Sequence, residues 1–235
     1  MMHYSIISID DRSKEQIKKT KKILHKFKYV DNIKIFNGIK NDGKRELENL
    51  NIKTNVWNPY DGRKSLPLPG EYGAFVTKVN TLKYIVENNI DYFLFIEDDI
   101  IVSEYFYKNF NICFKELPKD FDFLSLYYFK EHNQITKESD VGLKFIHKSI
   151  NQYSGTQIIL YSYNGAKKIL KLIDEKGMEY TADCFIFKQS QLNLLNGYSI
   201  KPNSLIFGKQ NLKLNSLIDP ENKRSMWVWK LYLTI

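Results

Sequence analysis

A chain of 235 residues that is 43% apolar and 14% aromatic is long enough to bury one full core, which excludes a disordered polypeptide. Its formal charge of +8 would suit nucleic acid, an anionic membrane or a phosphorylated substrate. Lys far outnumbers Arg and is spread along the whole chain, and no helix-turn-helix, zinc-finger or RNA-binding pattern accompanies it, so nucleic acid is not an expected partner.

In chain order, Tyr4–Ile9 reads as a short buried strand. A Lys-rich helix capped by Ser13 follows, with Ile17, Leu24 and Phe27 on its inner face, and Ile33–Phe36 reads as a second strand. Strand, helix and strand in this order predict a parallel unit of the kind found in nucleotide-binding α/β sheets. The stretch from Asn37 to Gly70 contains Gly, Asn and three prolines; it is expected to be irregular, too polar for a core element, and to cross a binding face.

Phe75, Val79, Leu82 and Val86 recur at helical spacing between Glu71 and Asn89. The next strand is Tyr92–Ile96, followed by a helix capped by Ser103 with Phe106, Phe110, Cys113 and Leu117 inward and Pro118 at its stop. Phe121–Tyr128 and Gln157–Tyr161 read as further strands. Ala166, Ile169, Leu170 and Ile173 mark a helix capped by Ser162 and closed near Gly177. Trp227 and Trp229 alternate as in a strand and suit core, subunit interface or membrane-surface anchor, with packing the simplest role.

The apolar run Tyr92-Phe93-Leu94-Phe95-Ile96 goes straight into Glu97-Asp98-Asp99 and then into Ile100-Ile101-Val102. Three acids can simply solvate a strand end or cap the next helix. Between two apolar segments, however, they must sit at the end of a buried strand, and in open α/β sheets ligands collect at the carboxyl ends of strands. Oxygen-only ligands there select a hard cation, Mg²⁺ or Mn²⁺, that keeps positions open for phosphate oxygens.

Asp183, just ahead of the apolar Cys184-Phe185-Ile186, is the second candidate: a general base for an acceptor hydroxyl, or a helix N-terminal carboxylate favoured by the macrodipole. Glu179 competes for the base role. No GxxxxGK[ST] or GxGxxG loop and no GxSxG elbow occurs. His3, His25, His132 and His147 make no metal-ligand pair, and Cys113 and Cys184 read as free buried thiols.

No segment approaches the roughly 20 apolar residues of a membrane span, Met1-Met2-His3-Tyr4 lacks signal-peptide character, and no Asn-X-Ser/Thr sequon is present. The expected setting is the cytoplasm, with peripheral membrane contact left open.

Several of these segments, in this order from about Ile6 to about Asp183, resemble the family-25 glycosyltransferases, which include lipooligosaccharide and collagen galactosyltransferases. Ile7-Ser8-Ile9-Asp10 is similar to the family's opening strand, Phe36-Asn37-Gly38 to its short motif ending in Gly, and Gly70-Glu71-Tyr72-Gly73 to its Gly-Glu-X-Gly segment. Phe95-Ile96-Glu97-Asp98-Asp99 resembles its strand plus acidic motif. Gly155-Thr156-Gln157 through Gly165-Ala166 resembles a later strand and helix, and Asp183 falls near a later acid of the family. The chain departs from the pattern in having Thr77-Lys78 where the family has Ser-His, and Arg12 with Lys14 where an arginine is displaced.

The resemblance implies an α/β fold of GT-A type: a Rossmann-like domain with a mostly parallel central sheet, nucleotide-sugar-binding over about 1–130 and acceptor-side over about 131–235. It implies inverting transfer of a hexose, galactose or glucose, from a UDP-sugar to a hydroxyl of a glycan, lipid-linked or protein acceptor, with Mn²⁺ or Mg²⁺. Glu97, Asp98 and Asp99 would serve the cation and Asp98 the ribose. Asp183 would be the base, with Glu179 next in line, and Asp10, Arg12, Glu71 and Lys78 would line the donor site. Two other classes fit the same residues: a non-catalytic binding module on a degenerate transferase fold, and a metal-dependent nucleotidyltransferase.

Overall fold

The computed structural model describes residues 2–8, 14–25, 33–39, 42–57, 64, 66–127, 139–150, 155–202 and 204–210. In chain order these form β1 (Met2–Ser8), α1 (Lys14–Leu24), β2 (Ile33–Asn37), α2 (Gly43–Asn49), α3 (Pro69–Glu87), β3 (Tyr92–Glu97), β4 (Ile100–Val102) and α4 (Phe106–Glu116). There follow β5 (Phe123–Ser125), β6 (Ile146–Lys148), β7 (Ile158–Ser162), α5 (Tyr163–Lys176), α6 (Ala182–Gln191), β8 (Gly197–Ile200) and β9 (Gly208–Gln210).

Seven strands make one sheet in the order β2-β1-β3-β7-β5-β8-β6. β1 runs parallel to β2 and β3, and β5 parallel to β8, while β7 and β6 run against their neighbours. Five strands therefore point one way, as expected. β4 and β9 pair separately as a two-stranded antiparallel ribbon.

The sheet is covered on both faces, which is why its inner strands read as unbroken apolar runs. Side chains alternate between the faces with period two. Phe93 and Phe95 of β3, Phe123 of β5, and Ile159 and Tyr161 of β7 pack with α2, α3, α5 and α6. Leu94, Ile96, Leu124, Ile158 and Leu160 pack on the other face with α1, α4 and β4.

Three helices end in the same device. Asn51, Asn89 and Asn193 follow α2, α3 and α6 in the left-handed conformation, at φ 55°, 50° and 56°. Each donates its N–H three residues back, to the carbonyls of Glu48, Val86 and Ser190, and the following residue reaches five back, Ile52 to Leu47, Ile90 to Ile85 and Leu194 to Gln189. This is the Schellman closure, with Asn tolerating the positive φ. α5 is capped as expected, Ser162 Oγ accepting from Gly165 N at 2.9 Å and Gly177 closing the other end.

The structure corrects the expectation for Asn37–Gly70. α2 lies within it, and Leu47, Ile52 and Val56 are buried in the core with α3. A single buried leucine, Leu47, suffices for α2 because Gly43 lies directly against the backbone of Tyr72 and Gly73 in α3. Ser103 is not the cap of α4. Tyr105 holds that position, and the Ser103 hydroxyl accepts from Tyr105 N at 3.2 Å in the turn before it. The strand expected over Phe121–Tyr128 is limited to Phe123–Ser125. Ser13, Phe27, Trp227 and Trp229 lie outside the described residues. Among the described residues no helix is long and apolar enough to cross a membrane.

Gly165, in the first turn of α5, sits against the main chain of Asp122, and a Cβ there would meet the Asp122 carbonyl. Gly165→Ala is expected to destabilise the fold by about 1–3 kcal/mol, the usual scale of overpacking, read as a lower urea midpoint. An unchanged midpoint would contradict this close approach.

Candidate active site

Four elements meet at the carboxyl end of β3. β3 buries Phe93 to Ile96 and ends at Glu97, and Asp98 and Asp99 form the turn into β4. Because β7 is antiparallel to β3 with Ile96 opposite Ile158, the segment entering β7 lies beside this turn, and Glu97 N donates to Gln157 O at 2.9 Å. α3 contributes Lys78, and the first turn of α6 contributes Asp183. Edge-to-face packing of Phe75 on Phe185, with centroids 5.9 Å apart, holds these two helices together one turn from the site.

The Lys78 ammonium is the centre of the cluster. It donates to Asp183 Oδ1 at 2.5 Å and to the Thr156 hydroxyl, stands 3.8 Å from Glu97 Oε1, and lies 5.5 Å from the Phe95 ring centroid. Its side chain is 9% exposed, against 31% for Glu97 and 27% for Asp183, so the cation is enclosed while both carboxylates still face solvent. Burial alone would lower the Lys78 pKa; the charges of Asp183 and Glu97 outweigh it and keep the ammonium protonated.

The two carboxylates diverge. Burial pushes Asp183 upward, but Lys78 and the hydroxyl of Thr156 more than offset it and hold the group below the usual carboxylate range. Burial pushes Glu97 upward as well. Lys78 opposes the rise, but Asp99, Asp183 and Asp98 add to it, and Glu97 ends well above the usual range. Two acids beside one ammonium with pKa values driven apart are a pattern of functional sites.

Glu71 is in the first turn of α3, where its Oε2 accepts from Leu68 N at 2.7 Å and so closes that helix terminus. Glu179 lies in the segment before α6, and its carbonyl accepts from Trp57 N at 2.7 Å. Asp10 and Arg12 lie outside the described residues. Thr77, next to Lys78, donates its hydroxyl to Gly73 O at 2.7 Å and accepts from Ile39 N at 3.1 Å, tying the chain after β2 to α3. Cys113 and Cys184 are free thiols, each pushed up to about 12 by burial.

Thr156 is the residue that sequence reasoning missed. It is fully buried and bonds both Lys78 and Asp183. Its signals were its place just before a predicted strand and in the Gly155-Thr156-Gln157 segment of the family resemblance, neither of which gave it a role; that this strand lies antiparallel beside the acidic one is a property of the sheet.

Among the described residues no three His, Cys, Asp or Glu side chains form a ready-made metal cage. Glu97, Asp98 and Asp99 are the acids that stand at this strand end.

The model of glycosyltransferase family 25, described as an LPS biosynthesis protein, matches residues 1–204. The chain belongs to glycosyltransferase family 25. Its activity class is therefore glycosyl transfer. No curated protein sequence matches the chain. Among solved structures, this family-25 chain is similar to a glycosyltransferase involved in glycosylating the major capsid of PBCV-1, at 10% identity and TM-score 0.48, covering 96% of this chain and 98% of that one. It is similar to a Drosophila β-1,4-galactosyltransferase 7 mutant in complex with manganese, UDP-Gal and xylobiose, at 10% identity and TM-score 0.44, covering 96% and 78%. A 4-diphosphocytidyl-2C-methyl-D-erythritol synthase from Anaerococcus prevotii follows at 10% identity and TM-score 0.42, covering 100% and 96%.

An acid whose folded-state pKa is raised stabilises the fold below its unfolded value, and that contribution is lost as pH rises through the folded value. Glu97 is such an acid, so the cation-free fold carries a penalty that grows toward neutral and alkaline pH. Glu97→Gln should therefore raise Tm at pH ~8.5 by about 2–4 °C, the shift that 1 kcal/mol gives in a chain of this size. Near pH ~5 the gain should vanish. A Tm equal to or below wild type at the higher pH would contradict the assignment.

Proposed function

We propose that the chain is a metal-dependent, inverting hexosyltransferase that moves galactose or glucose from a UDP-sugar to a hydroxyl of a glycan or glycoconjugate. The observation that carries this reading is the pair of unlike carboxylates at one strand end: Glu97, surrounded by further acids, and Asp183, held ionised by Lys78. The first has the character of a cation ligand, the second that of a base ready to accept a proton.

In the proposed site Glu97 and Asp99 would hold Mn²⁺ or Mg²⁺, with Asp98 beside them to serve the ion or meet the ribose. The bound cation would supply positive charge against the leaving diphosphate. Asp183 accepts the acceptor's hydroxyl proton as that oxygen bonds to the anomeric carbon. The bond from that carbon to the diphosphate breaks, its electron pair leaves with UDP, and the configuration inverts. A carboxylate below its usual pKa is a weak base in isolation, but the hydroxyl becomes acidic as its oxygen forms the new bond. Lys78, enclosed and bonded to Asp183, serves the base more directly than the donor phosphates. A cytoplasmic setting and a lipid-linked, glycan or protein acceptor belong to the same proposal.

The test is a screen of UDP-sugars with Mn²⁺, following donor binding by calorimetry and UDP release with acceptors present. Asp99→Ala should abolish both metal-dependent donor binding and turnover. Asp183→Asn should leave donor binding intact and lower kcat by about 10²–10⁴, the usual contribution of a general base. Failure of every nucleotide sugar to bind would overturn the transferase mechanism, and full activity in Asp183→Asn would move the base elsewhere, with Glu179 next to test.

A further inference from the structure

We infer that Thr156 is a positioning residue, closing with Lys78 a hydrogen-bonded ring that fixes the carboxylate of Asp183 for proton transfer. This rests on the reading of Asp183 as the base. The ring has three members: Lys78 Nζ donates to Thr156 Oγ1 and to Asp183 Oδ1, and Thr156 Oγ1 donates to the same Asp183 Oδ1.

The chemistry of the three side chains fixes the direction of every bond. An ammonium only donates and a carboxylate only accepts, so the group between them must do both, as a hydroxyl does. With Lys78 on one side the Thr156 proton has a single destination, Asp183. Both side-chain donors converge on Oδ1, and the second carboxylate oxygen takes neither of these bonds.

The hydroxyl is also the best anchored member. The Gly155 carbonyl accepts from Ser125 Oγ on β5, and the Gln157 carbonyl accepts from Glu97 N on β3, so the backbone on either side of Thr156 is held to the sheet. Asp183 is on the first turn of α6, and the backbone of Thr156 bonds its carboxylate as well. Side-chain donors from two different elements, α3 and the entry to β7, add to that backbone bond and orient the carboxylate. Thr156 itself is fully buried and offers no surface to a substrate.

The experiment compares Thr156→Val, which keeps shape and loses the hydroxyl, with Thr156→Ser, which keeps the hydroxyl, in the full chain with a saturating UDP-sugar and acceptor. Thr156→Val should lower kcat by about 10–100-fold with donor KM within about twofold of wild type, since misplacing a reacting group by an ångström has effects of this size. Thr156→Ser should stay within about threefold of wild type in both. A purely structural role would shift melting temperature and amount of folded protein while leaving kcat per folded molecule unchanged; that result overturns the inference. If Thr156→Val does not fold, Thr156→Cys, a weak donor of similar volume, should lose about tenfold in kcat, and full activity in it overturns the inference equally. Asp183→Asn separates the two levels. If it retains full turnover, the base assignment fails; if it is inactive while Thr156→Val is fully active, the ring alone is rejected.

Discussion

One enclosed ammonium, Lys78, is the constraint on which the site depends. Around it stand Asp183 and Glu97, with Asp98 and Asp99 adding their charge to Glu97. Burying carboxylates costs several kcal/mol each unless they are paired and hydrogen-bonded. Lys78 offsets that cost for Asp183, which it meets at 2.5 Å, far more than for Glu97 at 3.8 Å. The inequality leaves one acid firmly ionised and the other raised. Four acids, Glu97, Asp98, Asp99 and Asp183, thus stand around one ammonium, and the proposed divalent cation rests on that excess of acids.

The fold supplies this arrangement because each participant is carried by a rigid element. β3 is clamped between β1 and β7 and buried on both faces, so Glu97 has little freedom at its exit. The chain then turns through Asp98 and Asp99 into β4, which is held by β9 and by a hydrogen bond from the Gln16 side chain of α1 to the Ile100 carbonyl at 2.8 Å. The acidic turn is therefore tied down on both sides. α3 and α6, locked by Phe75 and Phe185, bring Lys78 and Asp183 to it from the opposite face of the sheet.

Much of this was legible in the sequence, and the exceptions have physical causes. The β3 run, the acidic triplet, the α3 and α5 periodicities and the Ser162 cap are local signals, and each corresponds to an observed feature. α2 was missed because a short helix with one buried Leu has almost no amphipathic signature; its burial comes from the contact of Gly43 with the α3 backbone. Ser103 misled because a small hydroxyl residue ahead of an apolar run suits both a cap and a turn. Lys78 was assigned to the donor site and noted as a departure from a motif, while its partnership with Asp183, 105 residues away, depends on how α3 and α6 cross. The role of Thr156 was missed for the same reason: strand adjacency, not local pattern, gives it its neighbours.

The most direct test of the account is a crystal structure of the chain with UDP and Mn²⁺. It should show the ion at the turn after β3, held by Glu97 and Asp99 and completed by diphosphate oxygens, with Lys78 still on Asp183. UDP bound at this strand end without an ion in contact with Glu97 or Asp99, or a nucleotide bound elsewhere on the chain, would contradict it.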